Sequence, residues 1–218
     1  AAHGDGQNEY LVYQDERWTY DTFCSDVCKM AWVLQNKLEV KQGDRVALAM
    51  RNYPELPILM MAITSLGAVV VFLNAWWTSE ELDYALTDSA AALVFADSPR
   101  FKRIKELGDK APKMVSLRDA PKDRWNYKTL MAAAPDANWP IAEIHTDDDM
   151  AVMYSSGTTG HPKGVVQTHR GAISAVYTWA MSMFLPSLMA DPTDPPIPDP
   201  GPQAILIVTP LFHVTATH

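Results

Sequence analysis

The 218-residue chain predicts an α/β fold with mainly parallel sheets flanked by helices. Two observations carry the prediction. Short apolar runs recur at 45–50, 69–73, 91–95 and 113–117, and segments with helical spacing or helix-start signals lie between them. Strands that alternate with helices in this way are joined by right-handed crossovers, which align the strands in parallel.

The elements follow in chain order. Residues 19–38 place Phe23, Val27, Met30, Ala31, Leu34 and Leu38 on one face at three- and four-residue spacing, the pattern of an amphipathic helix. Gly43 and Asp44 mark a turn, and RVALAM (45–50) reads as a buried strand. Pro54 suits the first turn of a helix that runs to Leu66 and stops at Gly67, after which 69–73 forms a strand. Thr78 and Glu81 have capping-box spacing, so a helix starts there and runs to Asp88. A strand at 91–95, a charged helix at 99–107 and a strand at 113–117 come next. The pattern weakens over 121–149, with a short helix at 127–134. MAVMY (150–154) is a strand, GVVQTH (164–169) its antiparallel or neighbouring partner, and 170–184 a helix. Residues 186–203 read as a surface loop, because seven of the seventeen residues from 186 to 202 are proline and cannot donate to a ladder. AILIV (204–208) is expected to be a final buried strand leading into TPLFHVTATH.

Composition narrows the function. A hydrophobic content of 48% is too high for a disordered chain and suits a real core. The formal net charge of −8, with no Lys/Arg run, excludes a phosphate-tracking nucleic-acid binder and an electrostatic membrane-surface binder. Cys24 and Cys28 fall one helical turn apart without a second Cys or His pair at ligand spacing. Neither a disulfide framework nor a zinc site is suggested, and both thiols are expected to be buried or half-buried. Residues 56–79 carry no charge. Pro57, Gly67 and Asn74 punctuate the run, so it reads as a buried helix and strand and not as a membrane span. The first ten residues lack the features of a signal peptide, and a cytoplasmic location is expected.

Chemistry concentrates in YSSGTTGHPKG (154–164). Gly157 and Gly160 let backbone amides approach an anion. Ser155, Ser156, Thr158 and Thr159 add hydroxyl donors, and Lys163 adds a compact positive charge. Together they form a cradle for phosphate oxygens. The string is not a Walker A loop, since Gly160 is followed by His-Pro-Lys-Gly, and it lacks the Gly-x-Gly-x-x-Gly of kinases. His213 and His218 have no further ligands nearby, so no metal site is assigned to them.

This string resembles the phosphate-loop signature of the adenylate-forming superfamily, which includes acyl-CoA synthetases, firefly luciferase and peptide-synthetase adenylation domains. RWTYDTF, GDRVALAMRNYPE, the stretch from MAITSLG to TDSAA, and PLFHVTATH resemble other segments of that family in order and spacing. The likeness covers nearly the whole chain and is closest to acyl-CoA synthetases. It implies activation of a carboxylic acid by ATP as an acyl-adenylate, with release of pyrophosphate and transfer of the acyl group to coenzyme A. Mg²⁺ is implied as well. By resemblance, 155–160 would hold the β- and γ-phosphates, and Lys163 would help neutralise the departing pyrophosphate in a supporting catalytic role. His213 would shape the carboxylate site. Ala216 stands where the family commonly has Gly, and its methyl group would narrow the acyl pocket or shift the backbone.

The family's Tyr-Gly-x-Thr-Glu and Thr-Gly-Asp segments and its small C-terminal domain with the catalytic lysine have no match here. Residues 1–218 are therefore expected to be an incomplete N-terminal AMP-binding (adenylation) domain. On that reading the chain alone is inactive and associates with itself through exposed apolar surface. Two other readings stay open: a non-catalytic nucleotide- or partner-binding module of the same descent, and an unrelated phosphotransferase. The acid, whether fatty, aromatic or another small one, is not specified.

Overall fold

The structure, a computed structural model, describes residues 5–121, 123–155, 161–189 and 204–212. The chain opens with an antiparallel hairpin of β1 (Glu9–Tyr13) and β2 (Glu16–Thr19), an element without a clear sequence signal. Helix α1 (Tyr20–Asn36) follows directly, and its start is fixed by a capping box in which Thr19 and Thr22 each accept from the other's backbone N–H. It buries Phe23, Val27, Met30, Ala31 and Leu34, the face expected from the spacing. Cys28 is buried in α1, but Cys24 is exposed, which corrects the expectation for that thiol: it falls on the helix's outer face.

Then come β3 (Arg45–Ala49), α2 (Glu55–Ser65), β4 (Val69–Phe72), α3 (Ser79–Asp88), β5 (Leu93–Ala96) and α4 (Ser98–Lys105). They are followed by β6 (Lys113–Ser116), α5 (Tyr127–Ala133), β7 (Asp149–Ser155), β8 (Lys163–Thr168) and α6 (His169–Met189). Thr78 and Glu81 make the expected capping box at α3. Gly67 ends α2 with φ +68°, a conformation that favours glycine.

One six-stranded sheet runs in the order β6-β5-β3-β4-β7-β8. Its first five strands are parallel, and β8 pairs antiparallel with β7 at the edge. Alternation along each strand divides the core into two layers. Val46, Leu48, Val70, Phe72, Leu93 and Phe95 face α1 and α2. Ala47, Val69, Val71, Val94 and Ala96 face α3 and α4. The uncharged run 56–79 is thus α2 followed by β4, buried on both faces as a strand of a parallel sheet should be. Among the described residues, no helix is long and apolar enough to cross a membrane.

Arg118 holds the hairpin to the body. Its guanidinium donates to Glu16 of β2 and Glu55 of α2 and lies over the rings of Tyr13 and Tyr53, at 5.4 and 5.3 Å. Burial outweighs the guanidinium at Glu55 and leaves that carboxyl above its ordinary range.

Two expectations are corrected. Helix α6 continues to Met189, so 186–189 is helical and not loop; the remainder of the expected loop, 190–203, lies outside the described residues. Residues 204–208 are not a buried strand. They pair with no neighbour among the described residues, and Ile205, Leu206 and Val208 are 79–87% exposed. An apolar run becomes a strand only where a ladder partner and a covering layer are available.

Candidate phosphate loop and the carboxyl edge of the sheet

The parallel strands β3, β4, β5 and β7 all end at one edge, where open α/β sheets bind ligands. One buried ion pair ties three of these ends together. Asp97, just after β5, accepts two bonds from Arg100 at 3.0 Å and the Arg51 N–H, just after β3, at 3.2 Å. Arg100 Nε donates to the Ala75 carbonyl, just after β4, at 2.6 Å. Asp97 and Arg100 are 1% and 3% exposed, so removing either partner would leave an uncompensated buried charge. The floor of this edge is therefore rigid.

The phosphate-loop string is the connection between β7 and β8. Ser155 and Lys163 face each other as the last pair of the antiparallel ladder, and the Ser155 hydroxyl lies 3.5 Å from the Lys163 carbonyl. Two of the seven expected phosphate-binding residues, Ser155 and Lys163, thus stand where β7 and β8 meet the connecting segment on the carboxyl edge. Lys163 is exposed, and among the described residues no carboxylate pairs with it, which leaves its charge available to an anion. Ser156, Gly157, Thr158, Thr159 and Gly160 lie outside the described residues.

Sequence reasoning missed the support beneath the loop. Helix α3 braces both of its feet. On the β7 side, the Tyr154 hydroxyl donates to Asp88 at 2.7 Å and lies 3.1 Å from the Ala85 carbonyl, while its ring meets Trp77 edge-on. On the β8 side, His161 stacks on Tyr84 with centroids 4.8 Å apart. Burial, and then the Asp88 carboxylate, push the Tyr154 phenol up, so it remains a protonated donor. Gly164, opposite Tyr154, suits this packing: a Cβ there would lie 3.1 Å from Val152 Cγ1 and 3.4 Å from the Tyr154 ring, and those side chains would have to shift by a few tenths of an ångström to admit it. The available signal was Tyr154 and His161 inside the motif string, two rings that need partners.

His213 also lies outside the described residues, but the segment before it is placed. Asn52 Nδ2 donates to the Thr209 carbonyl and Asn52 Oδ1 accepts from the Leu211 N–H, both at 2.8 Å. Phe212 is buried and meets Trp76 edge-on at 5.4 Å. Residues 209–212 therefore sit at the ends of β3 and β4, on the same edge of the sheet as the end of β7. A hollow of about 260 Å³ lined by Met61, Thr64, Trp139, Ile144 and His169 lies elsewhere, near the start of β7 and the end of β8, at the opposite edge. It takes no part in this arrangement. Among the described residues, no group of three or more His, Cys, Asp or Glu could hold a metal ion, so the implied Mg²⁺ is assigned to none of them.

Comparison with known proteins agrees with the motif. The family model described as AMP-binding enzyme matches residues 1–218. 4-Coumarate–CoA ligase 1 of Petroselinum crispum is 31% identical over 180 residues, covering 82% of this chain and 31% of that protein. Long-chain-fatty-acid–CoA ligase FadD13 of Mycobacterium tuberculosis (strain ATCC 25618 / H37Rv) is 34% identical over 202 residues, covering 93% and 37%. The chain spans about a third of the length of these relatives. A crystal structure of the N-terminal domain of FACL13 from Mycobacterium tuberculosis superposes with a TM-score of 0.72 and 30% identity, covering 93% of this chain and 46% of that one.

Proposed function

This chain belongs to the AMP-binding enzyme family, and on that premise we propose that the whole protein is an ATP-dependent acid–CoA ligase of which these residues form an N-terminal part. A carboxylate oxygen of the acid attacks the α-phosphorus of ATP. The bond from the α-phosphorus to the bridging oxygen breaks, and pyrophosphate leaves. The coenzyme A thiol, losing its proton, then attacks the acyl carbon of the adenylate, and AMP departs with the carboxyl oxygen. Such chemistry asks the protein mainly for positioning and for charge opposite the leaving group.

Within that reaction, 155–160 cradle the β- and γ-phosphates, and the Lys163 ammonium faces the pyrophosphate as negative charge builds on it. His213 borders the acid. The observation that carries the reading is the eleven-residue string 154–164, which joins β7 to β8 at the carboxyl edge; α3 braces its feet at Tyr154 and His161, and Lys163 pairs with no carboxylate among the described residues. The named relatives, an aryl-acid and a fatty-acid CoA ligase, support the same reaction and point to an acid with an apolar body.

The test is carboxylate-dependent ATP–pyrophosphate exchange by the whole protein over a panel of fatty and aryl acids. Exchange with at least one acid is expected, and Lys163→Ala should lower it about 100-fold, the usual cost of one transition-state donor. Absence of exchange across the panel would overturn the reading.

A further inference from the structure

We infer that Asn52 is a positioning residue that fixes the backbone of 209–212, the segment leading into the proposed acid-site residue His213; the inference rests on the ligase reading above. The segment 204–208 has no strand neighbour among the described residues, and its side chains are exposed. At 209–212 this changes. One carboxamide supplies a donor to the Thr209 carbonyl and an acceptor for the Leu211 N–H, at 2.8 Å each. In a parallel ladder, one residue's N–H and C=O take the same two groups of a neighbouring strand, a carbonyl and the N–H two residues on. Asn52 therefore stands in for a strand along 209–211.

The platform under Asn52 is fixed from both sides. Its predecessor Arg51 donates its N–H to the buried Asp97–Arg100 pair. Its successor Tyr53 lies under the Arg118 guanidinium, which also holds Glu55. Next to the clamp, Phe212 is buried against Trp76. Two hydrogen bonds from a rigid turn and one aromatic contact then fix the backbone of 209–212 at this edge. A carboxamide fits this task because it offers a donor and an acceptor in one plane. Asp keeps only the acceptor, and Ala keeps neither.

Two measurements test the assignment. The first is amide hydrogen exchange at Leu211, in the wild type, Asn52→Asp and Asn52→Ala. Protection should be lost in Asn52→Ala and largely kept in Asn52→Asp; unchanged protection in Asn52→Ala would overturn the clamp. The second is ATP–pyrophosphate exchange by the whole protein with its best acid. Asn52→Ala should raise KM for the acid about 10-fold and leave KM for ATP within about 2-fold, with Asn52→Asp between. Equal rises in both constants, or no rise for the acid, would overturn the positioning role. If Asn52→Ala does not fold, the same split between constants in Asn52→Asp decides. A wild type that exchanges with no acid defeats the ligase reading, and this role with it, whatever the Leu211 amide shows.

Discussion

Helices α2 and α6 are built from similar sequence and end in different surroundings. Each carries a single Lys, Arg, Asp or Glu side chain, Glu55 and Arg170, and is otherwise largely apolar. Helix α2 buries Leu56, Ile58, Leu59, Ala62 and Ile63 between α1 and the sheet. Helix α6 leaves Val176, Tyr177, Trp179, Met181, Met183 and Phe184 between 56% and 68% exposed. Apolar composition states that an element is made to be covered, and it does not state by what. The cover of α2 comes chiefly from α1 and β4, within a core that extends across the sheet. For α6, the described residues supply β8 beneath its start and little else.

The largest test of this contrast is core truncation. Phe72 of β4 is 1% exposed, so Phe72→Ala should cost about 3–5 kcal/mol in denaturant unfolding. Trp179→Ala, the same kind of change on α6, should stay within about 0.5 kcal/mol when measured at a concentration low enough to keep the chain monomeric. Comparable losses at both positions would mean that α6 is buried in solution.

A second test asks whether the open face finds a partner. An apolar face of this kind drives association, so the sedimentation mass of the chain should rise with concentration. Trp179→Glu combined with Phe184→Glu should suppress the rise. A chain that stays monomeric at every concentration would break the argument.

The smallest effect is at the junction of β8 and α6. Arg170 donates to Asp147 at 2.6 and 2.9 Å, and this hydrogen bond holds the Asp147 carboxyl below its ordinary range. A carboxyl lowered in the folded state adds stability above its unfolded pKa and loses it as pH falls through the folded value. The advantage of the wild type over Asp147→Asn in thermal unfolding should therefore be small and level near neutrality and fade on acidification. Because the pair is exposed, salt should shrink it too.

These differences also show where the sequence was readable. Elements that bury both faces, such as β3, β4 and β5, announce themselves as apolar runs, and α3 announces its start through Thr78 and Glu81. The β1–β2 hairpin stayed hidden because its pattern is mixed and its anchor, Arg118, comes 99 residues after Thr19, the last residue of β2. Residues 204–208 were misread because an isolated apolar run does not reveal whether a ladder partner exists. At the site, the string 154–164 was legible as a family signature, which the family match bears out, while its expected phosphate contacts remain part of the proposal. Its bracing by Tyr84 and Asp88, and the hold of Asn52 on 209–211, were not legible. They join positions 66 to 159 residues apart, and no local pattern carries them.

The most direct test of the central claim is to identify the products when the whole protein turns over ATP with its acid and coenzyme A. Phosphorus NMR should show AMP and pyrophosphate forming in equal amounts, matched by acyl-CoA. ADP, with the γ-phosphate on the acid or in water, would contradict the account and assign the 155–163 loop to γ-phosphate transfer.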